Sequence, residues 1–198
     1  MKYEITDIAH PVYKNLRRIR ALVDICTNVK AGDLGGYVEN ALNLSQYGRC
    51  WIYNDATMHG NSRMRDKSMM HGNSMMFDDS QMHGNSTMFD DSQMLGNSMM
   101  FDDSQMHGNS VMHGNSMMLG NSMMRDHARM LGNSTMYGNS VMRDNARMHG
   151  NSTMFDDSVM HGNSMMLGNS MMRDDSQMSG DMVLSGDMVL GDNAECEE

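Results

Sequence analysis

From Met58 to Met178 the chain repeats one six-residue phrase, and no insertion breaks its register. Met58-His59-Gly60-Asn61-Ser62-Arg63 is followed by Met64-Arg65-Asp66-Lys67-Ser68-Met69 and then by Met70-His71-Gly72-Asn73-Ser74-Met75. The phrase is Met, a variable residue, Gly or Asp, usually Asn or Asp, then Ser or Ala, and a second variable residue. A period of six is not helical, because an α-helix returns a residue to one face after about 3.6 residues. It is three times the two-residue period of a strand. The first and fifth places therefore read as an inward pair, one large and one small. The third and fourth places read as a corner, since Gly, Asp and Asn tolerate left-handed and turn conformations. Each hexad becomes a short strand plus a bend, and the repeated unit winds into a solenoid whose coils stack by backbone hydrogen bonds.

The pattern resembles the hexapeptide-repeat family, which forms a left-handed parallel β-helix with three hexads in each triangular coil. Here Met replaces the family's aliphatic residue, and Gly stands at the third place rather than the second. In this the chain resembles a subgroup of bacterial and phage proteins classed as transferases, whose hexads read like Val-Tyr-Gly-Asn-Ala-Arg. Arg18 to Leu22, Gly32 to Gly36 and Asn43 to Gln46 resemble the segment preceding the repeat in that subgroup. The resemblance spans roughly Tyr13 to Val189, and it is the source of the expected handedness. The fold class it implies is all-β, a left-handed parallel β-helix with a β-rich N-terminal cap.

Eighteen residues per coil place the first turn at the hexads beginning at residues 46, 52 and 58, and the register continues to Leu184. About eight coils at strand spacing give a prism roughly 38 Å long. Its interior would be a column of Met thioethers, flexible enough to fill irregular gaps. The inward Ser hydroxyls would each need a partner, most simply a backbone carbonyl of an adjacent coil. Early in the run Gly-Asn hexads alternate with Asp-Asp hexads, a period of twelve against a coil of eighteen. Asp78-Asp79 therefore falls between Gly60-Asn61 and Gly96-Asn97, an offset that carries acid without stacking carboxylates. Neighbours such as Asn97, Asn115, Asn133 and Asn151 are placed to form amide ladders.

This divides the chain into a cap at 1–45, the repeat at 46–189 and an acidic C-terminal tail at 190–198. In the cap, Tyr3 to Ile8 and Leu16 to Ile25 read as strands separated by Pro11. Ala31-Gly32-Asp33 and Leu34-Gly35-Gly36-Tyr37 read as tight turns. Trp51, the only tryptophan, stands at the junction and is expected to seal it. At the far end Met182 and Met188 take the small place, which predicts a last coil that plugs its own core.

A formal net charge of −10 speaks against nucleic acid held through its phosphates. No segment is apolar enough to span a membrane, and Met1-Lys2-Tyr3-Glu4 opens no apolar signal region. Three scattered cysteines, Cys26, Cys50 and Cys196, suit reduced thiols in a cytoplasm. The family resemblance implies acyltransferase chemistry, with a histidine between subunits as general base. Seven histidines hold the second place: His59, His71, His83, His107, His113, His149 and His161. A base needs a pocket and a partner, and family enzymes build these from loops that this repeat lacks. No residue is therefore assigned as catalytic, cofactor-binding or metal-binding. Met and His suit soft metals, which raises a Met-rich metal or oxidant sink as another alternative. Coiling, however, sets His59 and His113 three coils apart, and His71 and His107 two. Sixth-place methionines such as Met69, Met75, Met117 and Met123 would form outward apolar strips. Such strips favour a protein partner or self-association, as a homotrimer or laterally or end to end. The reading favoured by the unbroken repeat is a non-catalytic structural or binding module, with a hexapeptide-repeat acyltransferase as its rival.

Overall fold

The computed structural model describes residues 1–191 and 194–196. It contains three sheets of eleven, nine and eight strands, and no helix among the described residues. The architecture is a parallel β-helix of about nine coils. Thr57-Met58 pairs in parallel with Met75-Met76, and Met69-Met70 with Thr87-Met88, so one coil takes eighteen residues. Face 1 holds the strands that include Thr57–Met58, face 2 those that include Arg63–Met64, and face 3 those that include Met69–Met70. The chain passes from face 1 to face 2 to face 3 and back. Nine coils at strand spacing make the prism about 43 Å long.

Inside, every sixth residue from Met58 to Met178 is a buried methionine, and the fifth-place Ser and Ala residues are buried with them. The inward pairing expected from the hexad therefore holds in every coil of the run. The expected partners of the hydroxyls are absent. Ser68 Oγ donates to the Arg65 carbonyl at 2.6 Å, but seventeen other buried Ser hydroxyls, from Ser62 to Ser176, have no hydrogen-bond partner. The carbonyls they were expected to use are already engaged. The Ser80 carbonyl accepts the Arg63 amide and the Ser86 carbonyl accepts the Met69 amide, each in the ladder between coils.

The corners use two devices. Where Asp holds the third place its φ is positive, near +60° at Asp66, Asp78 and Asp90. Its carboxylate then accepts the backbone amide of the third residue one coil on: Gly84 to Asp66 at 3.1 Å, Gly96 to Asp78 at 3.0 Å and Gly108 to Asp90 at 3.0 Å. At the fourth place Asn donates to the residue one coil on, as Asn61 does to Asp79 at 3.2 Å. The longest amide ladder runs Asn97, Asn115, Asn133, Asn151, Asn169 and ends on Asp187. On face 1, where Gly114, Gly132, Gly150 and Gly168 stack in succession, the strands lengthen instead. Val111–Gly114, Arg129–Gly132, Arg147–Gly150 and Met165–Gly168 pair along their full length.

The cap differs from its sequence reading in three respects. Strands β1 (Tyr3–Ala9), β2 (Arg17–Ala21) and β3 (Leu34–Val38) form an antiparallel start to the sheet of face 1. The strand expected over Leu16 to Ile25 ends at Ala21, because a loop closes there: Gly32 donates to the Ala21 carbonyl and Ala31 to the Asp24 carboxylate. Leu34 to Tyr37 is strand, not turn. Gly35 and Gly36 are needed for close approach, since a Cβ on Gly35 would lie 2.7 Å from Trp51, Ile19 and the Ile52 carbonyl, and one on Gly36 2.4 Å from the Ala56 carbonyl. Third, the first coil begins before residue 46. Tyr37-Val38 pairs with Thr57-Met58 and Leu44 bridges to Met64, while Trp51-Ile52 pairs with Met69-Met70. The corner between Leu44 and Ile52 is thus two residues longer than its counterparts, and Leu44, fully buried, fills the inward place that the hexad register gives to Gln46. Trp51 is buried at this junction.

The far end is not plugged. Met188 is 55% exposed and Val183 and Val189 about as much, with Met182, Leu184 and Leu190 only partly buried. Backbone pairing continues into the acidic tail, where Glu195-Cys196 lies beside Gln177-Met178. The remainder of that tail, 192–193 and 197–198, lies outside the described residues.

Candidate functional site

With the first and fifth places inward and the third and fourth at corners, each strand shows two side chains to solvent, at the sixth place and the following second place. On face 2 the sixth place reads Met99, Met117, Thr135, Thr153, Met171, and the second place Phe101, Leu119, Tyr137, Phe155. No charged residue interrupts this run, in a chain where one residue in five is charged. Tyr137 is 49% exposed and the others are half-buried by their neighbours in the stack. The result is a flat apolar face in the centre of the prism, of the kind that marks a contact site.

The histidines divide into two sets. His59, His71, His83 and His107 are half-buried and stacked on aromatic rings. Tyr53, His71, Phe89 and His107 form one column on face 3, with centroids 4.3, 5.0 and 4.5 Å apart. His59 lies 4.5 Å from Phe77 and His83 5.1 Å from Phe101. Desolvation in these stacks pushes all four imidazoles below the ordinary histidine pKa, so each is neutral at pH 7. Of the other three, His113 and His149 are exposed and His161 is half-buried on face 3. The sequence reading treated all seven alike as surface residues. The ring stacking was missed, although it follows from writing the second places at intervals of eighteen.

His107 has a distinct setting. Its Nε2 lies 3.1 Å from the Gln105 side-chain oxygen. A shallow depression of about 470 Å³ beside it is lined by Asp90, Gln105, Met123, Arg125 and Asp126. With Nε2–H donating to Gln105, Nδ1 would be the basic atom. Phe89 separates His107 from His71. Among the described residues no three His, Cys, Asp or Glu side chains gather in a metal-binding group, and the inward Met sulfurs are sealed from solvent.

At the cap the lengthened corner opens a second depression, about 490 Å³, between Leu42, Tyr47, Met64 and Arg65. The repeat gave no signal for it, because it arises where the register slips. Beside it the buried Lys2 ammonium donates to the Cys50 carbonyl at 2.9 Å and lies 3.1 Å from Cys50 Sγ. Burial pushes the Cys50 thiol pKa up, which keeps it protonated and unreactive.

No protein-family model matches the chain, and no curated protein matches it. Among solved structures, 21 chains match. One is a UDP-N-acetylglucosamine acyltransferase from Arabidopsis, which shares 10% identity at a TM-score of 0.29 over 77% of this chain and 70% of its own. At that TM-score the likeness carries no conclusion about this chain.

Proposed function

We propose that this chain is a non-catalytic binding module, a stiff β-solenoid that offers its second face to a protein partner. The observation that carries the reading is the uncharged run from Met99 to Met171 on that face. Two features support it. No loop interrupts the coils between Met58 and Met178, so the walls of an enclosed substrate pocket are missing from the repeat. The inter-coil ladders of backbone and Asn side chains hold the face rigid, which lowers the ordering cost of binding. A bacterial or phage setting rests on the sequence resemblance alone. The test is affinity capture with the immobilised chain, comparing the wild type with Leu119→Lys/Tyr137→Lys on face 2 and Leu131→Lys on face 1. A partner held by the wild type should be lost by the face 2 variant and kept by the face 1 variant. Equal capture by all three would refute the assignment.

The depression beside His107 favours one rival, a hexapeptide-repeat acyltransferase whose site is completed by a neighbouring subunit. It requires acyl transfer from an acyl thioester that His107→Ala abolishes, in an assembly where a second subunit covers face 3. Absence of turnover across acyl-thioester donors, in a protein of normal fold, removes this rival.

A further inference from the structure

Face 2 begins with cations. Its first full strand, Arg63–Met64, runs on through Arg65 into the Asp66-Lys67 corner, so Arg63, Arg65 and Lys67 stand on alternate residues. Arg49 lies one coil below them, because the Arg49 and Cys50 amides both donate to the Asp66 carbonyl, at 2.6 and 2.9 Å. All four cations are exposed, and none forms an ion pair among the described residues. The carboxylate in their midst, Asp66, is turned toward the next coil. It accepts the Gly84 amide at 3.1 Å and lies 3.9 Å from His83 Nδ1. Like charges gathered at strand spacing repel, so the cluster opposes the fold of the isolated chain.

The cluster borders the depression at the lengthened corner. Arg65 lines it directly, together with Leu42, Leu44, Tyr47 and Met64, and Asp66 is the one carboxylate lining it among the described residues. Its volume of about 490 Å³ is that of a ligand-sized cleft. Two apolar side chains at its edge stand out into solvent, Leu42 at 76% and Tyr47 at 85% exposure. Behind Tyr47 lies a fifth cation. The Lys2 ammonium, on a buried residue, donates to the Tyr47 carbonyl at 3.4 Å and the Cys50 carbonyl at 2.9 Å, and lies 3.1 Å from Cys50 Sγ. These partners are neutral, so no carboxylate balances its charge, and a buried charge without a counter-charge is costly. An apolar-edged depression is thus surrounded by five cations and one engaged carboxylate, in a chain whose formal net charge is −10.

We propose that this depression takes an acidic segment of the protein partner, with carboxylates on Arg49, Arg63, Arg65 and Lys67 and an apolar side chain between Leu42 and Tyr47. The proposal rests on face 2 as the contact face and names the chemistry of what lies on it. Arg63 pairs in register with Gln81, and Gln81 with Met99. The depression is therefore the cap end of the same face, and the apolar run begins two coils on, about 10 Å away. A partner lying along the prism meets cations first, then the neutral Gln81 and His83, then the apolar strip. The spread of the cations favours a segment over a single small anion. Arg63 to Lys67 covers up to roughly 13 Å of chain at about 3.3 Å per residue, and Arg49 lies a coil below, so several carboxylates along a peptide match them where one phosphate would reach only a pair. Contacts of this kind at a rim steer association and make it sensitive to salt.

The test is the fluorescence anisotropy of a labelled peptide, Glu-Glu-Leu-Glu-Glu-Leu-Glu-Glu, titrated with the full chain at about 50 mM and about 500 mM salt. The wild type should bind at low salt and weaken by about tenfold or more at high salt. Arg63→Glu/Arg65→Glu should abolish binding, and Leu42→Ser/Tyr47→Ser should weaken it several-fold. Arg129→Glu/Arg147→Glu, the same change of charge on face 1, should bind as the wild type does. All of these positions are exposed, so the variants should melt like the wild type. No binding by the wild type at low salt overturns the proposal, and so does an equal loss in the two arginine variants, which would reduce the effect to net charge. Displacement by inorganic diphosphate, with Leu42→Ser/Tyr47→Ser binding like the wild type, overturns the peptide in favour of a bare anion site. The face 2 reading fails separately. If the peptide does not bind but Leu119→Lys/Tyr137→Lys still loses the captured partner, face 2 stands and this proposal falls. If the peptide binds as expected and capture is equal for all variants, the depression stands and the apolar run is not the contact.

Discussion

The seventeen unpartnered serine hydroxyls invite a substitution series in which removing a polar atom strengthens the protein. Ser110, Ser116 and Ser122 are the three fifth-place residues of one central coil, each fully buried with no hydrogen-bond partner. An unsatisfied buried hydroxyl costs about 1–3 kcal/mol relative to its hydrated state in the unfolded chain. Alanine removes that cost. It leaves a void of one oxygen, roughly 10 Å³, which at about 24 cal/mol per Å³ gives back only a few tenths of a kcal/mol. The site accepts alanine without rearrangement, since Ala56, Ala128 and Ala146 hold the same place and are equally buried. Taking the low end, each Ser→Ala change should stabilise by about 1 kcal/mol, and the triple variant by about 3. For a chain of this size 1 kcal/mol moves the melting temperature by roughly 2–4 °C. The triple variant should therefore melt about 6–12 °C higher by calorimetry, with the single variants adding up because neighbouring hydroxyls do not bond one another. A fall in melting temperature would refute the reasoning, because it would mean that the hydroxyls are partnered and that the coil loses hydrogen bonds with them.

Three further outcomes follow from the same structure. The folded-state pKa values of His59, His71, His83 and His107 are lowered by desolvation, so their neutral form stabilises the fold above the unfolded histidine value of about 6.5, and this stability is lost as pH falls from there through the folded values. Melting temperature should drop between pH 7.5 and 5, and His71→Phe, which keeps a ring between Tyr53 and Phe89, should reduce the slope; a slope unchanged by that variant would assign the pH dependence elsewhere. Gly114→Ala should destabilise more than Gly186→Ala: both have positive φ, +85° and +71°, but a Cβ on Gly114 would meet the Gly132 carbonyl at 2.7 Å while one on Gly186 meets nothing within 4 Å. The left-handed backbone alone costs about 1–2 kcal/mol, so thermal melts should show that cost for Gly186 and a larger one for Gly114. Ser116→Glu buries an unpaired carboxylate beside the Met column and should abolish the cooperative melt, whereas an unchanged melt would place the fifth residue at the surface.

The legible and illegible parts of this fold separate along physical lines. The hexad gave away its inward pairs because a strand's two-residue period leaves Met64 and Ser68 no choice of side. Corners were legible for the same reason, as only Gly, Asp and Asn stand where φ is positive. The first coil was hidden because two added residues between Leu44 and Ile52 moved the inward place from Gln46 to Leu44, and no periodicity survives such a slip. Gly35 and Gly36 misled in a different way. Glycine is needed both for turning and for close approach, and only the packing of Trp51 and Ile52 against them decides between the two. The serine hydroxyls misled because their expected acceptors already serve the ladder between coils. The apolar face and the ring column were in the sequence throughout. They appear only when residues are compared at intervals of eighteen, where Met99 neighbours Met117 and His71 neighbours Phe89.

That interval also explains the early alternation of Gly-Asn and Asp-Asp hexads. A bare duplication of twelve residues would account for the pattern but not for its bonding. With a coil of eighteen, each Asp at the third place finds a Gly one coil on, and the Gly amide is free to donate to it, as Gly84 donates to Asp66 and Gly120 to Asp102. The same offset sets Asn85 below Asp103, 2.8 Å apart, so the second carboxylate of the pair is also met by a donor. The mismatch between twelve and eighteen therefore gives each carboxylate of these early pairs a donor in a neighbouring coil. Beyond Gly108 the alternation lapses. Arg129 then stacks on Arg147 and Asp156-Asp157 on Asp174-Asp175, although Asp157 still accepts from the Asn139 side chain at 2.8 Å and Asp174 lies 3.7 Å from Arg173. The offset of twelve against eighteen thus accounts for the first half of the prism's charge pattern.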